Sequence, residues 1–186
     1  MTRRALLLST ALIAAHIALG AVMQPVDAAT TASTPTRVLD TRTGLGMTQG
    51  RLAPGAVGRL RIPSVQPSGE TAVMLNLTAV DATGPGHVSA WSCDDPEPDT
   101  SIVNFGPGQA VPNMVVLRYG SSGLCFSTVS PVHLVADLTA TTTDGDYRGV
   151  TPQRLVDTRA GGPYLPGREY RVQVGGTSGV PSSAAA

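Results

Sequence analysis

From residue 72 to residue 80, Val73, Leu75, Leu77 and Ala79 fall on one side of an extended chain and Met74, Asn76, Thr78 and Val80 on the other. A period of two marks a half-buried strand. Residues 57–62 alternate in the same way, and further apolar runs cover 87–92, 101–105, 113–119, 124–129 and 132–138. Turn formers separate them: Gly84-Pro85-Gly86, Gly106-Pro107-Gly108 and Gly120-Ser121-Ser122-Gly123. Twenty-one glycines and fifteen prolines in 186 residues interrupt any helical window. The pattern predicts an all-β chain, an antiparallel β-sandwich or barrel-like domain of seven or eight short strands with a partial second repeat.

The N-terminus reads differently. Arg3 and Arg4 precede an apolar stretch from Ala5 to Leu19, and Val26-Asp27-Ala28 has the small residues of a cleavage site. This is the pattern of a secretory signal peptide over 1–28. The stretch is shorter than the roughly 20 residues a spanning helix needs, so no membrane span is expected after cleavage.

A sequence motif occurs twice. Arg37-Val38-Leu39-Asp40-Thr41-Arg42 returns as Arg154-Leu155-Val156-Asp157-Thr158-Arg159. Leu52-Ala53-Pro54-Gly55 corresponds to Tyr164-Leu165-Pro166-Gly167, and Gly58-Arg59-Leu60-Arg61-Ile62 to the stretch ending in Tyr170-Arg171-Val172-Gln173-Val174. A spacing of over a hundred residues suits tandem domains, not a solenoid. The expected organisation is a signal peptide (1–28), a linker (29–35), a complete domain (36–143), a linker (144–149) and the start of a second unit (150–186).

Thirteen basic residues, all arginine, balance thirteen acidic ones. Cleavage after residue 28 would leave eleven basic against twelve acidic groups. Without a basic excess, nucleic acid is not an expected partner. Cys93 and Cys125 are the only cysteines. An even count outside the cytoplasm favours a disulfide over two free thiols, and no further soft ligand lies nearby for a metal pair.

Taken as an ordered set, several motifs resemble a domain repeated in secreted and cell-surface proteins of actinobacteria. They are Arg37-Val38-Leu39-Asp40-Thr41-Arg42, Ala72-Val73-Met74-Leu75-Asn76-Leu77-Thr78, Trp91-Ser92-Cys93 and Ser101-Ile102-Val103-Asn104-Phe105-Gly106-Pro107-Gly108-Gln109. Asn113-Met114-Val115-Val116-Leu117, Gly123-Leu124-Cys125 and Val132-His133-Leu134-Val135-Ala136-Asp137-Leu138 complete the set. The resemblance implies an accessory module, found alone, in tandem or attached to hydrolases such as cell-wall amidases, proteases and glycosidases. It carries over no catalytic residue.

Candidate chemistry is sparse. Asp40 and Arg42, repeated as Asp157 and Arg159, suit a turn in which the carboxylate anchors its own backbone and the arginine reaches a neighbouring strand. Trp91 suits a core beside the cystine or, less simply, a ligand-stacking platform. Asp94, Asp95, Glu97 and Asp99 gather hard oxygen ligands of the kind Ca²⁺ takes, although prolines stiffen the loop and no EF-hand spacing is present. No other metal or cofactor is expected. His87, His133 and Asp137 are the groups available for acid–base work, but His133 and Asp137 stand about 13 Å apart on a presumed strand, too far for a direct hydrogen bond. No nucleophile elbow or zinc-protease pair is present. Asn76-Leu77-Thr78 fits a glycosylation sequon but sits mid-strand. The expected function is a secreted or envelope-associated non-catalytic module that binds a cell-wall glycan or an envelope protein. The alternative is a fragment or accessory part of a cell-wall hydrolase such as an amidase, protease or glycosidase.

Overall fold

The computed structural model describes residues 30–67, 71–143, 150 and 152–183. The expected signal segment 1–28 and the connection 144–149 lie outside the described residues. The chain is all-β and forms two antiparallel sheets of four strands each. One sheet joins β1 (Thr30–Asp40), β8 (His133–Thr142), β3 (Ala72–Val80) and β6 (Ala110–Arg118) in that order. The other joins β2 (Gly58–Leu60), β7 (Leu124–Thr128), β4 (Gly86–Ser92) and β5 (Val103–Phe105). The sheets remain separate, so the architecture is a sandwich and not a barrel.

The alternation along β3 is the clearest link between sequence and packing. Val73, Leu75, Leu77 and Ala79 are fully buried, while Met74, Asn76, Thr78 and Val80 are only partly covered. They meet Leu134, Ala136 and Leu138 of β8, and across the sandwich Leu60, Val88, Ala90, Leu124 and Phe126 from the second sheet, in one continuous core. Removing such side chains from water stabilises the fold by roughly 1.5–3 kcal/mol each.

Residues 29–35, expected as a linker, are instead strand from Thr30 onward, pairing Thr30 with Thr142 and Ala32 with Ala140. The segment escapes a pattern-based reading because it is polar and exposed. It is held by main-chain hydrogen bonds along an edge. Pro35 falls between Ala32 and Thr36, where the register shifts. A proline has no N–H to give, so an edge bulge is where a sheet tolerates one. Pro112 lies in β6, the opposite edge of the same sheet.

The first third of the domain supplies an outer strand to each sheet. β1 pairs only with β8 and β2 only with β7. The loop between them packs close: a Cβ on Gly46 would come within 2.3 Å of the Val38 carbonyl oxygen, and Gly46 has a φ of +75°. Only glycine fits there.

Residues 152–183 form no strand; the one helical turn is α1 (Thr158–Gly161). Tyr170, Val172 and Val174, whose counterparts lie in the alternating run at 57–62, are exposed. Strand propensity alone does not order them, because a strand needs a neighbour to accept its hydrogen bonds.

Candidate functional site

Asp40 ends β1 with its carboxylate turned back on the chain. It accepts from the Arg42 amide at 3.0 Å, from Arg42 Nε at 2.9 Å and Nη2 at 2.7 Å, and from Arg37 Nη1 at 3.3 Å. The side-chain bond from Arg42 is the main reason its acidity is strengthened, with a pKa lowered to about 2. Arg42 was expected to reach a neighbouring strand; its fork folds onto Asp40 instead. Arg37 makes the cross-strand link, donating to Asp137 on β8 at 2.5 Å. Asp157 repeats the local turn: the Arg159 amide donates to it at 3.0 Å and Arg159 Nε at 2.9 Å. This geometry is therefore encoded within a few residues.

Thr41, between the two charged residues, carries more weight than its neighbours and has no distinguishing signal in the sequence. It is 1% exposed. Its hydroxyl accepts from the Leu134 amide at 3.0 Å and lies 3.0 Å from His133 Nδ1, while its own amide donates to the Leu134 carbonyl. Tyr119 plays the matching role at the other edge: the Ile62 amide donates to its hydroxyl at 2.8 Å.

On the second sheet, Trp91 stands opposite Cys125 in the β4–β7 register. The cystine joins Cys93 to Cys125 with Cα atoms 5.0 Å apart. Trp91 is only 4% exposed, which removes it from the candidate ligand platforms. Its place is beside the disulfide, and an indole so covered cannot stack on a sugar ring.

The acidic segment connects β4 to β5. Its carboxylates diverge to separate partners. Asp94 accepts from the amides of Ser122 at 3.0 Å and Ser121 at 2.7 Å; its pKa is held below the ordinary carboxylate value, first by a hydrogen bond from the Ser122 side chain and then by these amides. Gly120 makes room for this carboxylate; a Cβ there would fall 2.1 Å from Asp94 Oδ2. Asp95 pairs with Arg118 at 2.7 Å. Glu97 accepts from the Ser127 hydroxyl. Asp99 is fully exposed, with Arg154 at 4.0 Å. Among the described residues no group of three or more His, Cys, Asp or Glu side chains is placed to hold a metal ion. The convergence that Ca²⁺ requires is not found in this loop.

What the loop does build is a polar groove of about 340 Å³ against the outer face of β4 and β5. His87, Ser89, Glu97, Asp99, Asn104 and Arg154 line it. Its wall is held by Ser89 donating to the Thr100 carbonyl at 2.5 Å and by the Ile102 amide donating to Val88. A second cleft of about 460 Å³ lies near Thr41, Gln49, Arg51 and Arg59, but Arg51 is engaged by Asp81 there.

His133 and Asp137, four residues apart on β8, serve different partners, Thr41 and Arg37. Burial, helped by the Arg51 charge, pushes the His133 pKa below its usual value. Asn76 lies inside β3 opposite Asp137 and Met114. Among the described residues no helix is long and apolar enough to cross a membrane. No family model, no curated protein and no solved structure matches this chain.

Proposed function

We propose that this chain is a secreted, non-catalytic β-sandwich module whose groove beside the β4–β5 loop binds a polyhydroxylated polymer of the cell envelope. The observation that carries the reading is the groove itself: a concave surface in which acceptors (Glu97, Asp99), an amide (Asn104), an imidazole (His87) and a cation (Arg154) converge. Sugar hydroxyls are both donors and acceptors, and this mixed set meets both needs. The loop that forms it is pinned by the Cys93–Cys125 bridge, and binding loops gain from a rigid scaffold. Secretion is supported by that bridge together with the leader-like residues 1–28.

Retention of purified protein on insoluble peptidoglycan and on wall polysaccharides tests this. The Asp99→Asn, Asn104→Ala double variant is expected to lose at least tenfold in retention with an unchanged melting temperature. A correctly folded wild-type protein that passes through every matrix would rule the glycan reading out.

A further inference from the structure

Thirteen basic residues balance thirteen acidic ones along the chain, but the charges are not matched evenly in space. In the first unit Arg37, Arg42, Arg51 and Arg118 each meet a carboxylate, of Asp137, Asp40, Asp81 and Asp95 in turn. Arg59 and Arg61 do not. Both are exposed, and among the described residues neither side chain makes an ion pair or a hydrogen bond. The two form a local cationic excess in a unit whose other described arginines are neutralised.

They share one edge of the sandwich. β2 pairs with β7 and is the outer strand of its sheet, so its other side is open. Burial alternates along this stretch. Leu60 and Ile62 are at most 2% exposed, while Val57, Arg59 and Arg61 face outward, Val57 at 47%. On an extended chain, positions two apart put their side chains on one face, about 6.6 Å from each other. Arg59 stands opposite Cys125 in the β2–β7 register. The stem of Arg61 crosses the turn before β7, where a Cβ on Gly123 would come within 3.3 Å of its Cγ. Asp94, on the far side of that turn, is held by the Ser121 and Ser122 amides and by neither arginine.

A depression adjoins each cation. Arg59 is on the rim of the cleft of about 460 Å³, whose sides include Thr48, Gln49 and Val57. Met47 lies across Gly58 there; a Cβ on Gly58 would fall 2.0 Å from Met47 Cε. Arg61 is on the rim of a cleft of about 300 Å³ with Pro63, Gln66 and Tyr119. Apolar surface beside a cation suits the carbon skeleton of a chain that carries charges, and hydroxyl and amide groups suit its uncharged oxygens.

The geometry points to a second binding surface: the β2 edge takes an extended anionic polymer, laying successive phosphate or carboxylate groups on Arg59 and Arg61 and its spacers in the adjoining clefts. A guanidinium offers a planar fork of N–H donors that matches either oxyanion. A small anion meets one arginine, whereas a chain with its charges about 6.6 Å apart, one two-residue strand repeat, meets both. The β2 edge is opposite the β4–β5 groove in the same sheet, and the inference does not rest on that groove. Cations on an open edge also discourage strand pairing between molecules, a purely protective role that the test separates from binding.

The test titrates the full chain with labelled inorganic polyphosphate and with labelled polygalacturonate. Binding to at least one is expected, weakening as sodium chloride is added. Arg59→Gln and Arg61→Gln should each weaken it roughly threefold, the size of an exposed ion pair, and together about tenfold. Melting temperature and oligomeric state should not change. Arg168→Gln with Arg171→Gln removes the same charge elsewhere and should leave binding as it was. So should the Asp99→Asn, Asn104→Ala variant, which keeps this inference separate from the groove reading. Polyphosphate bound alone assigns phosphate as the ligand group, polygalacturonate alone assigns carboxylate, and both together assign the oxyanion they share. The inference fails if neither polymer binds, if the Arg59, Arg61 double variant binds as the wild type does, or if the Arg168, Arg171 pair loses as much. It fails too if the double variant self-associates with its polymer binding intact, which would leave the arginines as edge protection.

Discussion

The Thr41 hydroxyl oxygen lies 3.0 Å from Nδ1 of His133 and 3.0 Å from the amide nitrogen of Leu134, which donates to it. With the amide using one lone pair, the hydroxyl proton is free to point at the imidazole. The arrangement suits a neutral ring that accepts at Nδ1. It ties the end of β1 to the start of β8 at a buried point.

Protonating His133 therefore opposes folding. Its folded pKa lies below the ordinary 6.5, so the unfolded chain takes up the proton first as pH falls. Stability is at its full value above pH 6.5, declines as pH falls toward the lower folded pKa, and levels off beneath it. Urea midpoints at pH 7.5 and pH 5 should differ in the wild type. His133→Gln, which keeps an acceptor without a charge, should flatten the difference. An unchanged difference would remove His133 as its source.

Asp40 works in the opposite sense. With a folded pKa of about 2 against an ordinary 3.8, it contributes stability that is complete above pH 3.8 and is lost as pH falls through 2. Asp40→Asn should cost about 2 kcal/mol at pH 7, in line with hydrogen bonds to a charged group. It should also make acid unfolding less steep between pH 4 and 2. Asp157→Asn, on the exposed second copy, should leave the global unfolding curve where it was. Chemical denaturation across pH reads both.

The cystine closes a loop with a sequence separation of 32. Cys93→Ser with Cys125→Ser should lower unfolding free energy by roughly 3–4 kcal/mol if restriction of the unfolded chain dominates. Because the bridge joins the turn just after β4 to the adjacent strand β7, the sheet should survive its loss at low temperature. Circular dichroism with a urea titration decides it, and a cost below 1 kcal/mol would argue against the chain-entropy account.

Trp91 is the chain's sole tryptophan, so its emission reports one place. Buried beside the cystine, it should emit at short wavelength and resist acrylamide quenching until the fold opens. Glycan addition should leave accessibility unchanged. Trp91→Ala should cost about 3–5 kcal/mol. A red-shifted, freely quenched emission from native protein would contradict the placement.

Much of the sandwich was legible in the sequence. β3 matches its alternating run from 72 to 80, and the later strands lie within a few residues of the apolar runs that signalled them. β1 was not legible, because seven polar or small residues from Thr30 to Thr36 carry no period and are ordered only by the β8 main chain. The candidate site was read in part. The acidic residues were visible as a cluster, but their dispersal to Ser121, Ser122, Arg118 and Ser127 depends on where β7 and the turn before it lie.

By itself the sequence determined what acts over a few residues: the period-two faces, the turns, the doubled aspartate–arginine bend that forms alike at Asp40 and Asp157. Only the tertiary structure decided that Leu39 is buried while Val156 is exposed, that Trp91 is covered, and that Thr41 clasps His133. The reason is physical. A bend is closed by its own hydrogen bonds, whereas burial and strand pairing belong to whichever distant segment comes to lie alongside, and here that segment is β8 or β7.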